Sequence, residues 1–526
     1  MQASGVNQSS HYALIRALDA GTARIDRWHG ETADKSWYEG HYYSVKAPGL
    51  AAFALPWYAA NDALGVVERA REAGTRVAGD QERESFSPRA IALRDQRSVT
   101  WLIGLWAVVL PALALLLLVR SAAERFAPGY GTLAAVLLGT GTIVLPYSTM
   151  LYAHVPAAAL AMAALWVLLR ERDGARARPA LVVVAGALGG LAAVVDYPVA
   201  LVALLLGLYA ARRSVRRGAL YLAGLAAGLV PLAAYNLWAF GSLTHMSYDD
   251  AVAVEGRTGH DVLGLNDDGL FGITLPEPGA ALDLLFAPKG LVTLTPVVVA
   301  AVYGLVLLAR RGLRAEALLC GAIVAATFLY DAGYWLPSGG DVPGPRFLLP
   351  MLPFAAVGLA VALRERPGPA LALGAASIAG MLAATLTEPQ SPGQDTARWV
   401  ELLRDGDLQY TVAGAAGVGH GWAGALPFLA LVALAVVLAV RSAPALGGRA
   451  AERPALLALA AWAVAAAALP PLVDEQRSAA LVLVALGVAA GVAAAAWSGR
   501  SRPSCSARAP SPVPSTASST TATPRS

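Results

Sequence analysis

Residues 98–125 read SVTWLIGLWAVVLPALALLLLVRSAAER. From Ser98 to Val119 there is no charged residue, and Arg120, Glu124 and Arg125 follow directly. An apolar run of roughly 17–25 residues is what crosses about 30 Å of hydrocarbon as a helix. The stretch therefore predicts a membrane span that ends in a basic loop. Outward from it, runs of the same kind recur at 131–150, 152–169, 180–195, 197–211, 218–240, 291–309, 315–335, 348–363, 370–387, 425–440, 455–472 and 478–498. With 98–119 these predict thirteen spans, the pair around Asp196-Tyr197-Pro198 being short enough for a tight hairpin.

Composition agrees and excludes the alternatives. The chain has 526 residues, of which 14% are charged and 56% hydrophobic, with 52 glycines besides. An average globular protein is about 25% charged, so a soluble fold of this length lacks the polar groups to cover its surface. Disorder and a collagen-like repeat are excluded by the same apolar content. Only Cys320 and Cys505 are present, which excludes a disulfide framework and a multi-cysteine metal site. A net charge of +4, thinly scattered, gives no sign of nucleic-acid binding. The expected fold class is all-α: a polytopic helical membrane protein of about thirteen transmembrane helices, with outer-face loops and interfacial helices.

Arginine sets the orientation. Alternate loops carry Arg120 and Arg125; Arg170, Arg172, Arg176 and Arg178; Arg212, Arg213, Arg216 and Arg217; Arg310, Arg311 and Arg314; Arg364 and Arg366; and Arg441, Arg449 and Arg453. The positive-inside rule makes these cytoplasmic. The intervening loops are acidic, the longest holding Asp249, Asp250, Glu255, Asp261, Asp267, Asp268, Glu277 and Asp283, and they are expected outside. The three lysines, Lys35, Lys46 and Lys289, all fall on that outer side. The expected organisation is a first outer segment with interfacial helices (1–96), transmembrane helices (97–240), a long outer loop (241–290), further transmembrane helices (291–498) and a disordered cytoplasmic tail (499–526). Residues 1–96 open with neither a basic nor an apolar signal region, and an upstream span is expected to carry them across. Arginine in place of lysine, with abundant alanine, points to a bacterial source.

The first outer segment concentrates chemistry-bearing residues. Tyr12, Ile15 and Leu18 space a helix over Ser10–Ala20, with Gly21 as its C-cap. Arg24 to Gly40 reads as polar and turn-like, holding Asp26, His29, Glu31, Asp34 and Glu39. His41, Tyr42, Tyr43 and Lys46 follow, and Pro48-Gly49 leads into an apolar stretch, Leu50–Ala60, suited to an interfacial helix with Trp57 and Tyr58 at the headgroup level. Val66–Gln96 is charged with both signs and reads as a solvated connector. A carboxylate at such a surface acts as a general base toward an acceptor hydroxyl or amine. Lysine and arginine beside it hold a phosphate. Aromatic rings give a face for a sugar or a lipid stem. Further polar positions lie at outer span ends: Tyr147-Ser148-Thr149, Tyr152-Ala153-His154, Asp196-Tyr197-Pro198, Asn236, Asp331, Asp341 and Arg346. Ionisable groups at that depth are costly and lean functional.

Several of these stretches resemble one family. Tyr38–Leu50, YEGHYYSVKAPGL, resembles the first outer loop of bacterial GT-C glycosyltransferases, the superfamily of protein O-mannosyltransferases, the lipid A aminoarabinose transferase and many family-39-like proteins. There an aromatic stretch precedes a Lys-Pro-Pro-like turn; here Tyr42-Tyr43 precede Lys46-Ala47-Pro48-Gly49. Ala287-Pro288-Lys289-Gly290-Leu291, running to Thr295-Pro296, is similar to the small-residue-Arg/Lys-Gly-Leu-…-Ser-Pro entry to a later span. Ser338-Gly339-Gly340-Asp341 with Gly344-Pro345-Arg346-Phe347 resembles the Gly-Gly…Gly-Pro-Arg-Tyr stretch, and Tyr235-Asn236 with Phe240-Gly241 recurs there too. The resemblance spans roughly residues 8–350.

The resemblance implies a large outer-face cavity, a sugar donor linked to polyprenyl phosphate and a catalytic acid in the first outer loop. Where many relatives carry Asp-Glu two residues before an Arg-Tyr pair, this chain has Asn7-Gln8 before His11-Tyr12, and neither amide acts as a base. The acidic candidates are then Asp26 and Asp34. Lys46, Arg346 and Lys289 are expected to hold the phosphate, and His41 and Tyr43 to position the donor head group. Tyr42, His154 and Asp196 complete the expected substrate-binding set. No cofactor is expected and no metal is indicated, although Asp267-Asp268 offers carboxylates to a divalent ion. The expected partners are the polyprenyl-phosphate sugar donor and membrane lipids, with no nucleic acid and with a glycan, lipid or protein as acceptor. The expected location is the bacterial cytoplasmic membrane, with the active site on its outer face. A transporter or flippase of a lipid-linked glycan is the alternative, followed by a non-catalytic membrane scaffold.

Overall fold

The computed structural model describes residues 5–78, 96–174, 178–248, 272–390, 395–415, 417–444, 446, 449–469 and 474–500. Arg176, the loop acids Asp249, Asp250, Glu255, Asp261, Asp267 and Asp268, and the tail from 501 lie outside these residues. The fold is a polytopic helical membrane protein. Eight described helices are long and apolar enough to cross a membrane: Arg97–Ala123, His154–Asp173, Val215–Phe240, Arg314–Ala332, Arg346–Glu365, Pro367–Leu386, Gly421–Ser442 and Ala480–Ser498. Two bent pairs, Pro48–Ala63 with Val66–Ala73 and Pro278–Leu294 with Val297–Arg310, each turn by 89° at a short break. Gly131–Gly141, Pro179–Val195 and Tyr197–Ala211 are shorter apolar helices. Each of the thirteen predicted spans overlaps a helix. The run 131–150 is not continuous, because it breaks into Gly131–Gly141 and Val144–Tyr147 at Thr142, whose hydroxyl bonds back to the Leu138 carbonyl at 2.6 Å.

Side-chain pattern sorts the helix faces. On Arg97–Ala123, Leu115 and Val119 are buried while Leu110, Leu113 and Leu117 are exposed. Exposed leucines in such a helix belong against lipid, where apolar surface costs nothing. Between helices in lipid, close approach replaces the hydrophobic drive. Pro179–Val195 and Val215–Phe240 meet through Gly186 and Gly190 on one and Gly224 and Gly228 on the other. A Cβ on Gly186 lies 2.0 Å from the Tyr221 carbonyl oxygen, and one on Gly224 2.0 Å from that of Val183. The four-residue glycine spacing on both helices makes that contact possible.

The arginine-rich loops come together at one end of the helices. Arg217 Nη2 donates to Glu171 Oε2 at 2.5 Å, Arg172 pairs with Glu316, Arg125 Nε lies 3.2 Å from Asp173, and Arg311 pairs with Glu365 and reaches the Phe126 carbonyl at 3.3 Å. Tyr209 adds its hydroxyl to Glu316 at 2.8 Å. Helix His154–Asp173 runs from this end to the other, about 30 Å away at ~1.5 Å per residue. Its first residue, His154, marks the opposite end of the bundle.

Candidate functional site

The first polar segment folds against that opposite end. Helix Val6–Asp19 begins four residues before the spacing predicted, and it buries Asn7, Gln8, Ser9, Ser10 and His11. Gly21 follows at φ +73°. The turn-like stretch of Arg24–Gly40 holds a strand, Lys35–Tyr38, paired antiparallel with His41–Ser44. Glu39 and Gly40 form its two-residue turn with φ of +46° and +88°. Positive φ at both positions suits the twist of a hairpin. The signal was in the sequence: Glu-Gly between Trp37-Tyr38 and Tyr42-Tyr43, aromatic residues that favour strands.

Short hydrogen bonds tie the hairpin to the helix. The Ser10 hydroxyl bonds the Asp34 carbonyl at 2.5 Å and lies 2.7 Å from the Ser44 hydroxyl. Thr32 accepts from the Asp34 amide at 3.0 Å and donates to the Val6 carbonyl at 2.7 Å. Asp34 is thereby held on both sides. Lys46 follows the second strand, and its amide donates to Ser44 Oγ at 3.2 Å. The next helix, Pro48–Ala63, starts with proline at N1, where a missing amide hydrogen costs nothing. Gly49 lies against the end of Pro179–Val195: a Cβ there is 2.6 Å from the Val194 carbonyl oxygen. That contact brings Lys46 beside Asp196.

Asp34 and Lys46 form a near-buried ion pair at 2.6 Å, with side chains 11% and 15% exposed. Burial pulls the Lys46 ammonium below its ordinary range, and Asp34 opposes that shift. Arg346 and Asp196 act on the same ammonium. His11 faces Lys46, Asp34, His154 and Arg346. Burial first, then the Lys46 charge, lower its titration to about 3, so it is neutral at physiological pH. Arg346 sits between two rings, 5.9 Å from Tyr152 and 4.9 Å from Phe347. Gly339 leaves room for it, since a Cβ there is 2.7 Å from Arg346 Cγ. His154 Nδ1 lies 2.5 Å from Asp196 Oδ2, with both side chains buried. Arg346 Nε, His154 Nε2 and His11 Nδ1 are buried and find no hydrogen-bond partner among the described residues.

The predicted residues therefore separate. Asp34, Lys46, His154, Asp196 and Arg346 come together. Asp26 does not join them: it pairs with His41 Nδ1 at 2.8 Å and accepts the Tyr42 amide at 2.7 Å, with the pair's side chains 36% and 41% exposed. It clips the edge of the hairpin. Tyr42 stacks flat on His29 at 4.0 Å. Tyr43 is buried against Phe240 at 4.9 Å, in an aromatic group with Tyr38. Lys289 is buried elsewhere, 5.4 Å from the Trp399 ring, and its acidic neighbours are Asp341, Asp395 and Glu388.

Three contributors, His11, Tyr152 and Gln390, lie outside the expected catalytic and substrate-binding set. His11 lies four residues after Asn7 on one helix face. Tyr152 is held through two amides: Gln390 Nε2 donates to its hydroxyl at 2.7 Å, and Gln8 Nε2 donates to Gln390 Oε1 at 3.1 Å. Gln8 Oε1 also accepts the Leu151 amide at 2.9 Å. Gln390 lies far along the chain, where no local spacing connects it to the site. No three His, Cys, Asp or Glu side chains converge on a metal position among the described residues.

No family model matches this chain, and no curated protein matches it. Among solved structures, ArnT from Cupriavidus metallidurans in the apo state aligns at 15% identity and TM-score 0.43, covering 94% of this chain and 72% of that one. ArnT from the same organism bound to undecaprenyl phosphate aligns at 12% identity and TM-score 0.42, covering 94% and 74%. The apo oligosaccharyltransferase of Archaeoglobus fulgidus aligns at 15% identity and TM-score 0.37, covering 91% and 56%. Scores at this level are too low to carry a fold or an activity from those proteins to this chain.

Proposed function

We propose that this protein is a membrane glycosyltransferase of the GT-C kind, moving a sugar from a polyprenyl-phosphate donor to an acceptor. The observation that supports it is the buried set of two cations and one carboxylate, Lys46, Arg346 and Asp34, at the bundle end opposite the arginine-rich loops. Under the positive-inside rule that end faces outward, at the outer surface of a bacterial cytoplasmic membrane. The lipid-linked donor enters between helices, and Lys46 and Arg346 take its phosphate.

The charges suit the reaction. Lys46 and Arg346 bring two positive charges to the single negative charge of a phosphodiester donor, with Asp34 and Asp196 as the carboxylates beside them. As the acceptor oxygen bonds to the anomeric carbon, the carbon–oxygen bond to phosphate breaks. The lipid phosphate leaves with the electron pair and a second negative charge. Cations fixed beforehand favour that transition state over the bound donor. Asp34 holds Lys46 charged and in place despite its burial. Asp26 is left outside this machinery.

The test is transfer from radiolabelled polyprenyl-phosphate sugars in membranes with and without the protein. Wild-type membranes are expected to label an acceptor. Lys46→Ala, Arg346→Ala and Asp34→Asn are each expected to lose about 10²–10³-fold, the scale of losing one electrostatic contact to a developing charge. Absence of transfer from every such donor refutes the reading.

A further inference from the structure

We infer that His154, oriented by Asp196, accepts the proton of the attacking acceptor group, which makes it a catalytic residue and Asp196 a positioning residue. The inference rests on the transfer reading above and assigns the proton that the reading leaves without a destination.

Asp34 is occupied as the counter-charge of Lys46 at 2.6 Å. His154 is not occupied in that way. Its Nδ1 is engaged by Asp196 at 2.5 Å, and its Nε2 is buried with no partner among the described residues. An imidazole whose Nδ1–H donates to a carboxylate carries its lone pair on Nε2. The same carboxylate then stabilises the imidazolium once a proton arrives, the arrangement by which a buried acid orients a histidine base.

Position supports the assignment. The imidazole lies 6.0 Å from the Tyr152 ring and 5.7 Å from the Phe347 ring. The Arg346 guanidinium lies 5.9 Å and 4.9 Å from the same two rings. Base and phosphate-binding cation therefore share two aromatic neighbours, Tyr152 and Phe347. His154 opens helix His154–Asp173, and Asp196 closes Pro179–Val195, so both are fixed by rigid elements. The titratable and charged groups around the imidazole are Asp196 at 2.5 Å, Tyr147 and Tyr152 with rings 5.9 Å and 6.0 Å away, and His11, which itself faces Lys46, Asp34 and Arg346.

The step balances. The acceptor O–H or N–H bond breaks, its electron pair forms the new bond to the anomeric carbon, and its proton moves to Nε2. The carbon–oxygen bond to phosphate breaks with its pair on the lipid phosphate. The imidazole becomes positive as the phosphate becomes doubly negative.

The test measures initial transfer rates of the full chain in membranes, against pH and donor concentration. His154→Gln is expected to lower kcat by about 10²-fold or more, the usual range for a general base, with the donor KM unchanged. The wild-type rate is expected to fall on acidification through one protonation, and that limb is expected to vanish in the residual activity of His154→Gln. Asp196→Asn is expected to keep the limb and to lower kcat with the donor KM unchanged, since the imidazole loses the carboxylate that orients it. A merely structural His154 predicts a raised donor KM, a lower melting temperature and an unmoved limb. That result overturns the inference, as does His154→Gln activity equal to wild type. Loss of the limb in Asp34→Asn with its retention in His154→Gln also overturns it and assigns the proton to Asp34. Wild-type membranes without any transfer overturn both this inference and the proposed function. An active wild type with unaffected His154 and Asp196 variants overturns this inference alone.

Discussion

Asp26 and Asp34 come from one polar stretch, eight residues apart, and each pairs with a partner from the following strand region at nearly the same distance: His41 at 2.8 Å and Lys46 at 2.6 Å. In sequence they were equivalent candidates. In the fold they are opposites. The Asp34 pair is 11% and 15% exposed and sits among His11, His154, Asp196 and Arg346, whereas the Asp26 pair is 41% and 36% exposed at a hairpin edge. Water and salt screen the second pair, and a surface ion pair contributes ~0–1 kcal/mol. The first pair must compensate each other's lost hydration. Separation along the chain did not distinguish them; enclosure did.

The largest effect expected from that contrast is on stability. Asp34→Ala leaves Lys46 enclosed without its counter-charge, a change that costs about 3–5 kcal/mol when one member of a buried pair is removed. Thermal unfolding in detergent should show a clear drop for Asp34→Ala and for Lys46→Ala. Replacing both, as Asp34→Leu with Lys46→Met, should recover most of the loss, because apolar groups of similar size need no hydration. The double variant should stay inactive in transfer. Recovery of activity along with stability would make the pair structural and erase its difference from Asp26.

The next effect tests how the pair is brought into place. Gly49→Ala puts a methyl group 2.6 Å from the Val194 carbonyl oxygen, which the end of Pro179–Val195 must yield to accept. Overpacking of this kind costs about 1–3 kcal/mol. It also moves Lys46 away from Asp196, so transfer should fall more than the melting temperature alone explains. Gly21→Ala, in a left-handed turn with open space around it, tests the hairpin side without touching the cluster. A Gly49→Ala protein with wild-type stability and activity would remove the link between helix packing and the site.

How much of this was legible in the chain follows from which forces act locally. Span positions were legible because about 30 Å of hydrocarbon demands a long uncharged run. The arginine loops were legible because one residue type repeats with alternate parity. The glycines at 186, 190, 224 and 228 carry a period of four, visible before any partner is known. The first hairpin strand, Lys35–Tyr38, lies inside a stretch whose charged residues read as turn-like, although Trp37, Tyr38, Tyr42 and Tyr43 flank Glu39-Gly40 as strand residues flank a tight turn. Lys46, His154, Asp196 and Arg346 were legible as candidates, since ionisable groups near span ends are costly. What was not legible is which carboxylate is enclosed. That depends on Ser10, Thr32 and Ser44 hydroxyls, and on where Pro179–Val195 ends, contacts separated by as much as about 150 residues of chain. The role of Gln390 in holding Tyr152 lies beyond local pattern for the same reason.

A smaller effect reads the enclosure through pH. His11 titrates near 3 in the fold and near 6.5 when unfolded, so between those values the unfolded chain binds more protons. Stability is therefore constant above about pH 6.5 and falls as pH drops from there toward 3, with a slope of up to ~1.4 kcal/mol per pH unit from this group. His11→Gln should flatten the acid side of a melting-temperature profile by that amount. A profile of unchanged slope would show that water reaches the cluster, and the contrast with the hairpin edge would shrink.

The smallest effect belongs to Asp26. Asp26→Asn keeps an oxygen for the Tyr42 amide and gives up only the attraction to His41, so the loss should be under ~1 kcal/mol, and less at high salt. Transfer should match wild type. Asp26→Ala removes the hydrogen bond as well and should cost about 1 kcal/mol more, the net value of one such bond, still without loss of transfer. The outcome that breaks the comparison is Asp26→Asn falling in activity as far as Asp34→Asn. It would mean that the exposed edge of the hairpin meets the acceptor, and that the chemistry is shared across the loop instead of being confined to its buried side.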